Sequence, residues 1–219
     1  MAAPALDNFE MSAALTDTTE WLIQQGLEDT PVNTWLEALC ERLVRAGIPL
    51  QRVNLSMRAH HPEIGAVAFR WHRDDGSETF AYQRSSQTPD DYLQSPLYYL
   101  VINPISELRQ DLTTPTPELD FPVFDDLRAQ GATEYYAAKR HFLSNDHARA
   151  ADPAQVAEGM TISMTTDAIG GFSDAHLNGL RALLAPLCLT LKSGSNRVMA
   201  RGPRCQPTCV VRRHSARQL

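Results

Sequence analysis

The stretch from Gly65 to Gln83, GAVAFRWHRDDGSETFAYQ, decides the fold class of this chain. Two segments that contain aromatic and β-branched residues flank the dipeptide Asp75-Gly76. Asp-Gly is a favoured sequence for the tight turn of a β-hairpin, because glycine adopts positive φ angles without steric cost. The stretch therefore predicts two antiparallel strands joined by a short turn.

One further strand is predicted before this hairpin and two after it. In residues 51–61, QRVNLSMRAHH, the apolar residues Val53, Leu55 and Met57 alternate with polar ones, which is the pattern of a half-buried strand. Glu134–Phe142 and the segment MTISMTTD, residues 160–167, are also predicted to be strands. The polar connector between them, residues 144–159, is expected to be a mobile hairpin loop.

Amphipathic helices are predicted near both ends of the chain. Thr30 and Pro31 form a helix start, a capping residue followed by proline, and Gly47 ends that helix. Near the other end, Ser173 caps a long helix that Pro186 is expected to bend. Their apolar faces comprise Trp35, Leu36, Leu39, Cys40, Leu43 and Val44 in the first helix and Leu177, Leu180, Leu183, Leu184, Leu187 and Leu191 in the second. The chain is thus predicted to be α+β, with an antiparallel sheet packed against N- and C-terminal helices.

The remaining elements are shorter. We expect a disordered lead-in over residues 1–17, followed by a short helix around Glu20–Gln25. Three more helices are predicted near Leu97–Ile102, Ile105–Arg109 and Val123–Gln130. The folded domain is predicted to span residues 18–192.

Composition limits the class of protein. The chain has 219 residues, of which 43% are hydrophobic and 21% charged, as in ordinary globular domains. It has no apolar run long enough to span a membrane and no secretory signal at its N-terminus. Its four cysteines are few and unevenly spaced, which favours a reducing compartment. We therefore expect a cytoplasmic protein without membrane insertion.

The net charge of −6 conceals two regions of opposite sign. Residues 192–219 carry seven basic and no acidic side chains, whereas residues 1–191 carry a net charge of −13. Residues 193–219 are accordingly predicted to be a basic, disordered tail. Such a tail is suited to binding nucleic acid or an anionic surface, although it has no interleaved aromatic residue for base stacking.

Two aspartates are candidates for metal binding. Asp126 and Asp167 would provide a pair of carboxylates for Mg²⁺ if the fold brought them together. However, Asp126 lies in a helix start and Asp167 precedes the turn at Gly170-Gly171, where aspartate is common for structural reasons. We therefore predict no metal site from this pair.

Histidine and cysteine residues give no stronger signal. His60, His61 and His72 have no further ligand at metal-binding spacing, so they are interpreted as surface residues. The tail residues Cys205, Cys209 and His214 imitate half of a zinc site, but no second pair of ligands follows. No phosphate-binding loop or nucleophile motif occurs. We predict no catalytic residue, no metal ligand and no cofactor.

Four aromatic residues on predicted strands, Trp71, Phe80, Tyr82 and Tyr135, have two interpretations. They would line a ligand pocket or simply fill the core. The ligand-binding residues, and the existence of a pocket, therefore stay open.

Several segments together resemble one bacterial family. Residues 21–71, the segment SPLYYL at 95–100, the segment LDFPVFDDLRAQGATEYYA at 119–137 and residues 166–192 resemble the N-terminal region of bacterial class III adenylate/guanylate cyclases. The resemblance implies a GAF-like sensory module, which binds a small molecule or mediates homodimerisation through its terminal helices. It also implies a role in signalling by cyclic nucleotides.

The catalytic half of that family has no counterpart here. Its metal-binding aspartates, base-selecting pair and transition-state pair cannot be placed on any residue of this chain. We therefore expect a non-catalytic regulatory domain, with a reading-frame shift near residues 200–202 as the hypothesis for the unusual tail. Two alternatives stay open, an adenylate cyclase that makes cAMP from ATP and a binder of nucleic acid or anionic surfaces through the tail.

Overall fold

The computed structural model describes residues 8–58, 63–83, 89–114, 119–142, 159–201 and 209–210. Within this range the helices are α1 (Asn8–Glu28), α2 (Val32–Arg45), α3 (Asp90–Leu93), α4 (Pro96–Ile102), α5 (Pro122–Ala129) and α6 (Asp174–Arg201). The strands are β1 (Arg52–Arg58), β2 (Ile64–His72), β3 (Gly76–Gln83), β4 (Glu107–Asp111), β5 (Glu134–His141), β6 (Gly159–Thr166) and β7 (Cys209–Val210).

The strands of the described residues form one sheet in the order β4-β5-β6-β1-β2-β3-β7. The six strands β4, β5, β6, β1, β2 and β3 pair antiparallel with their neighbours, and the two-residue β7 adds a parallel pairing at the β3 edge. The predicted hairpin is β2–β3, in which His72 pairs with Gly76. Gly76 has φ 77°, the conformation for which the turn requires glycine. The predicted α+β fold is confirmed.

One face of the sheet packs against the terminal helices α1, α2 and α6. Val53 and Leu55 of β1 point to this face, because alternate residues of a strand lie on the same side. The apolar stripe of α2 and the leucines of α6 cover them, as the sequence predicts. The space left among these side chains is only about 20 Å³, so this layer is a filled core.

Short helices cover half of the opposite face. Tyr135 and Ala137 of β5 lie under α4 and α5, in a second apolar cluster that includes Leu100, Phe124 and Leu127. This cluster covers the β4–β5 side of the sheet. The charged residues Arg52, Arg70 and Glu78 of β1, β2 and β3 line the space beside α5.

The N-terminal prediction requires correction. Helix α1 begins at Asn8, so residues 8–17 of the expected disordered lead-in are helical, and the helix near Glu20–Gln25 is the end of a much longer one. Met11, Leu15 and Leu22 of α1 are buried in the main core. Burial of this face stabilises the helix despite its polar threonines.

Three further local predictions are wrong. The segment near Ile105–Arg109 forms a strand, β4, because Leu108 and Gln110 are buried alternately rather than with helical spacing. Thr30 does not cap α2, which has Pro31 at its N-cap position and no side-chain capping bond. Helix α6 continues to Arg201, beyond the expected domain end at Lys192.

Some predictions fall outside the described residues. Most of the connector 144–159 and most of the basic tail lie outside the described residues. Within the tail, Cys209–Val210 pair with Thr79–Phe80. At the start of α6 the expected cap is present, since Ser173 Oγ accepts a hydrogen bond from the His176 amide at 3.2 Å. Among the helices that the structure describes, none combines the length and the apolar character of a membrane span.

Candidate functional site

A cleft of about 850 Å³ opens where α5 meets the uncovered half of the sheet. Strand β1 and the β2–β3 hairpin form one side, the end of α5 forms another, and Asp167 lies after β6. Its lining residues are Gln51, Arg52, Arg70, His72, Arg73, Asp74, Asp75, Gly76, Glu78, Val123, Asp126, Leu127, Gln130 and Asp167. Most of these side chains are charged or polar, in contrast to the filled core on the other face.

The cleft is held open by buried anchors on both sides. On the helix side, Phe124 and Leu127 of α5 are fully buried against Tyr135. On the sheet side, the Nε2 atom of Gln51 donates a 2.7 Å hydrogen bond to the carbonyl of Gln130, which follows α5. The strand edge and the helix end are thereby joined directly. The walls are consequently set by the core and do not need a ligand to form.

Arg52 lies on the cleft side of β1, since its neighbour Val53 enters the main core. Burial, followed by the nearby charge of Arg70, lowers the pKa of the Arg52 guanidinium to about 10. The hydroxyl groups of Tyr135 and Tyr82 act on it in the opposite direction. Arg52 is therefore a half-buried cation. Among its charged neighbours, another cation has the largest effect on its pKa.

Arg70 lies beside Arg52 because of the strand register. Asn54 pairs with Arg70, and Arg52 pairs with His72, so the two arginines occupy neighbouring positions on one face. The Arg70 guanidinium carbon lies 4.6 Å from the centre of the Phe80 ring. Its Nε atom is buried without a hydrogen-bond partner in the described structure.

The structure brings Asp126 and Asp167 to the same cleft, as the metal hypothesis required. Asp167, however, forms a two-point ion pair with Arg73, with a distance of 3.2 Å from Nη1 to Oδ1. The hydrogen bond from Arg73 lowers the pKa of Asp167 below its ordinary value, although partial burial opposes the shift. Within the described ranges, no group of three His, Cys, Asp or Glu side chains has the geometry of a metal site.

Of the histidine and cysteine candidates, only His72 and Cys209 lie in the described residues. His72 Nδ1 accepts a hydrogen bond from the Asp74 amide at 3.3 Å, so this side chain orders the hairpin turn. His60, His61, Cys205 and His214 lie outside the described residues. Cys209 lies in β7, the strand that pairs with β3 at the edge of the sheet.

The four aromatic candidates divide between the two faces. Trp71 is 3% exposed in the main core, and Tyr135 is 2% exposed in the second cluster. Phe80 lies beneath Arg70, and Tyr82 is half-buried near Arg52. Core packing thus accounts for Trp71 and Tyr135, while Phe80 and Tyr82 lie on the cleft side of the sheet.

Arg52 and Arg70 were not among the residues predicted to form a site. Arg70 is a single polar residue between Phe69 and Trp71, and Arg52 follows Gln51 at the start of an alternating strand, both ordinary features of a half-buried sheet. Alternation alone indicates that they face away from the main core. Only the pairing register shows that they are neighbours.

Comparison with known proteins supports the same class of fold. The phycoerythrobilin-bound GAF domain of a cyanobacterial phytochrome aligns with a TM-score of 0.53 and 11% identity, covering 84% of this chain and 97% of that one. The phycocyanobilin-bound GAF domain of a cyanobacterial phytochrome aligns with a TM-score of 0.52 and 12% identity, covering 86% and 98%. No protein-family model and no curated protein matches the sequence. The chain has the GAF fold.

Proposed function

We propose that the chain is a non-catalytic sensory domain that binds a small molecule in the cleft between α5 and β1–β3. The observation that carries the proposal is the cleft itself, whose volume of about 850 Å³ lies in the range of small-molecule sites. Its walls combine a preformed frame with several convergent polar groups. The GAF domains of similar fold hold bilins, which supports a ligand-binding role for this fold without indicating a bilin here.

The cellular role follows from the sequence resemblance. We propose that the domain regulates cyclic-nucleotide synthesis in a class III cyclase context and acts in the cytoplasm. The free, buried Cys40 and Cys188 are compatible with a reducing compartment. The alternative of an active cyclase has no support from the cleft, because its Asp167 carboxylate is engaged by Arg73.

A screen of a metabolite library by thermal denaturation tests ligand binding. A ligand at one hundred times its Kd should raise the Tm by roughly 5–10 °C for a domain of this size. Asp126→Trp at the rim of the cleft should abolish the shift by filling the entrance. Ala129→Trp, an exposed position of α5 outside the cleft, is the matched control and should retain it.

Two results would count against the proposed function. If no compound of the library raises the Tm, the result contradicts ligand binding in the cleft. A shift that persists in Asp126→Trp would place the ligand elsewhere on the molecule.

A second proposed function is homodimerisation through the terminal helices. Ile23, Leu27 and Leu189 are 46%, 72% and 66% exposed. Each is adjacent in sequence to a residue of the α1–α6 contact, where Thr190 Oγ1 donates a hydrogen bond to the Leu22 carbonyl and Ser193 lies near Gly26. Exposed apolar residues beside this helix contact favour burial by a second copy.

A further inference from the structure

Arg52 and Arg70 have no anionic partner among the described residues. In the described part of the chain, neither guanidinium makes an ion pair or a hydrogen bond. Five other arginines of this part each pair with at least one carboxylate: Arg73, Arg109, Arg128, Arg140 and Arg181. Arg45 also makes no ion pair, but it is exposed on α2, whereas Arg52 and Arg70 are half-buried in the cleft.

The two arginines also disfavour each other. They lie on adjacent strands of one sheet face, and the charge of Arg70, after burial, lowers the pKa of Arg52. Placing two cations together in a partly dehydrated space is unfavourable unless an anion joins them. The buried Nε of Arg70 leaves a further donor unused. The two guanidinium groups therefore lack an anion that would offset their charge.

The described carboxylates that line the cleft do not pair with Arg52 or Arg70. Asp167 is engaged by Arg73, and the exposed Glu78 and Asp126 form no ion pair with either arginine. Since no carboxylate of the described residues pairs with Arg52 or Arg70, an anion that enters from solvent is a suitable partner. Arginine is well suited to this role, since its planar fork binds carboxylate or phosphate through two parallel hydrogen bonds.

We propose that Arg52 and Arg70 together bind the anionic group, a carboxylate or a phosphate, of a small organic ligand in this cleft. This inference rests on the proposed ligand-binding function and specifies the chemistry of the ligand. Four acidic residues at the rim, Asp74, Asp75, Glu78 and Asp126, repel an extended polyanion. The ligand is therefore a small molecule with one anionic end, whose other end is neutral or cationic.

Thermal denaturation in the presence of simple anions tests the proposal. The probes are inorganic phosphate and acetate, each compared with sodium chloride at equal ionic strength, and the two arms separate the phosphate and carboxylate classes. At ten times its Kd, the bound anion should raise the Tm by roughly 3–5 °C above the chloride control. Arg52→Gln and Arg70→Gln should each abolish this difference.

Arg45→Gln is the control for net charge. Arg45 is an exposed residue of α2, on the far side of the sheet, and its Nε donates to the Glu41 carbonyl of its own helix. This variant should retain the full anion response. Equal loss in Arg45→Gln would show a general charge effect and overturn the proposal.

The same variants without added anion separate binding from a structural role. Removal of one of two mutually repelling cations should leave the Tm of Arg52→Gln unchanged or higher, whereas Arg70→Gln also loses the contact of its guanidinium with the Phe80 ring. A lower Tm in both, without a selective loss of the anion response, would make these arginines structural and overturn the proposal. Neither probe exceeding chloride in the native chain would also overturn it.

The outcomes distinguish this inference from the proposed function. A metabolite whose binding is blocked by Asp126→Trp, but survives both arginine replacements, would retain the sensory cleft and refute the anion site. A metabolite that still binds to Asp126→Trp would refute the cleft as the ligand site.

Discussion

At the scale of the residue, Glu134 has the most demanding environment in the described structure. The residue is 4% exposed, yet it bears a carboxylate. The Phe172 amide donates to its Oε2 at 2.6 Å, and Arg109 donates to its Oε1. Arg109 Nη2 also donates to the Phe172 carbonyl at 2.9 Å. These bonds satisfy the buried charge and join β4, β5 and the chain segment before α6.

Two adjacent glycines allow a direct test of this environment. Gly170 and Gly171 have φ angles of 85° and 74°, and a Cβ at Gly171 would collide with the Glu134 carboxylate, whereas one at Gly170 would meet nothing within 4 Å. Gly170→Ala should cost about 1 kcal/mol of unfolding free energy from backbone strain alone. Gly171→Ala should cost roughly 2 kcal/mol more, because the carboxylate must move from its partners.

Urea denaturation of the two variants measures the difference. Equal losses of stability would mean that the Glu134 bonds contribute nothing beyond the turn conformation.

At the scale of the element, Glu107 connects the β4 edge of the sheet to the adjacent strand and to α6. Its carboxylate accepts hydrogen bonds from Arg140 of β5 at 3.2 Å and from Arg181 of α6 at 2.8 Å. Burial acts to raise the pKa of Glu107, but the bonds from Arg181 and Arg140 outweigh it and lower the pKa below its ordinary value. The ionised form therefore stabilises the native state.

The pH dependence follows from the direction of this shift. A lowered native pKa means that the stabilising contribution is complete above the unfolded value of about 4.3 and is lost as the pH falls through the native value. Glu107→Gln should reduce stability at pH 7 by about 1 kcal/mol and flatten the acid limb below pH 5. Denaturant titrations between pH 3 and pH 7 measure both effects.

Glu20→Gln is the control, since Glu20 is an exposed carboxylate of α1. An unchanged acid limb in Glu107→Gln would assign the acid sensitivity to other groups.

At the scale of the whole molecule, the proposed dimer depends on Leu27 and Leu189. Leu27→Glu with Leu189→Glu should raise the dimer Kd at least about 100-fold, because two charges would have to be dehydrated in the interface. Ile169→Glu, at a fully exposed loop position, should leave association unchanged. Sedimentation equilibrium measures the Kd, and circular dichroism checks that the fold is retained.

A native chain that is monomeric at high concentration would contradict this proposal. Dissociation by Ile169→Glu would instead place the interface in the loop before α6.

The extent to which the molecule could be predicted from its sequence varies with the element. Strands β1, β2, β3, β5 and β6 and helices α2, α5 and α6 follow from local patterns of apolar residues and from glycines at turns. The early start of α1 was not predicted, because its buried positions Met11, Leu15, Thr18 and Leu22 include a threonine and further threonines lie between them. Strand β4 could not be predicted, because its alternation depends on the burial of Gln110 together with Leu108, and an isolated sequence does not show that a glutamine will be buried.

The sequence by itself determined the α+β class, the hairpin and the helices that cover the main face, because these depend on periodicity and turn chemistry within short segments. Only the tertiary structure decided where a ligand site lies. Arg52 and Arg70 become neighbours through the β1–β2 register. The two walls of the cleft are joined by the hydrogen bond from Gln51 to Gln130, residues that are distant in the chain. Such juxtapositions depend on strand register and long-range packing, which no local pattern of residues specifies.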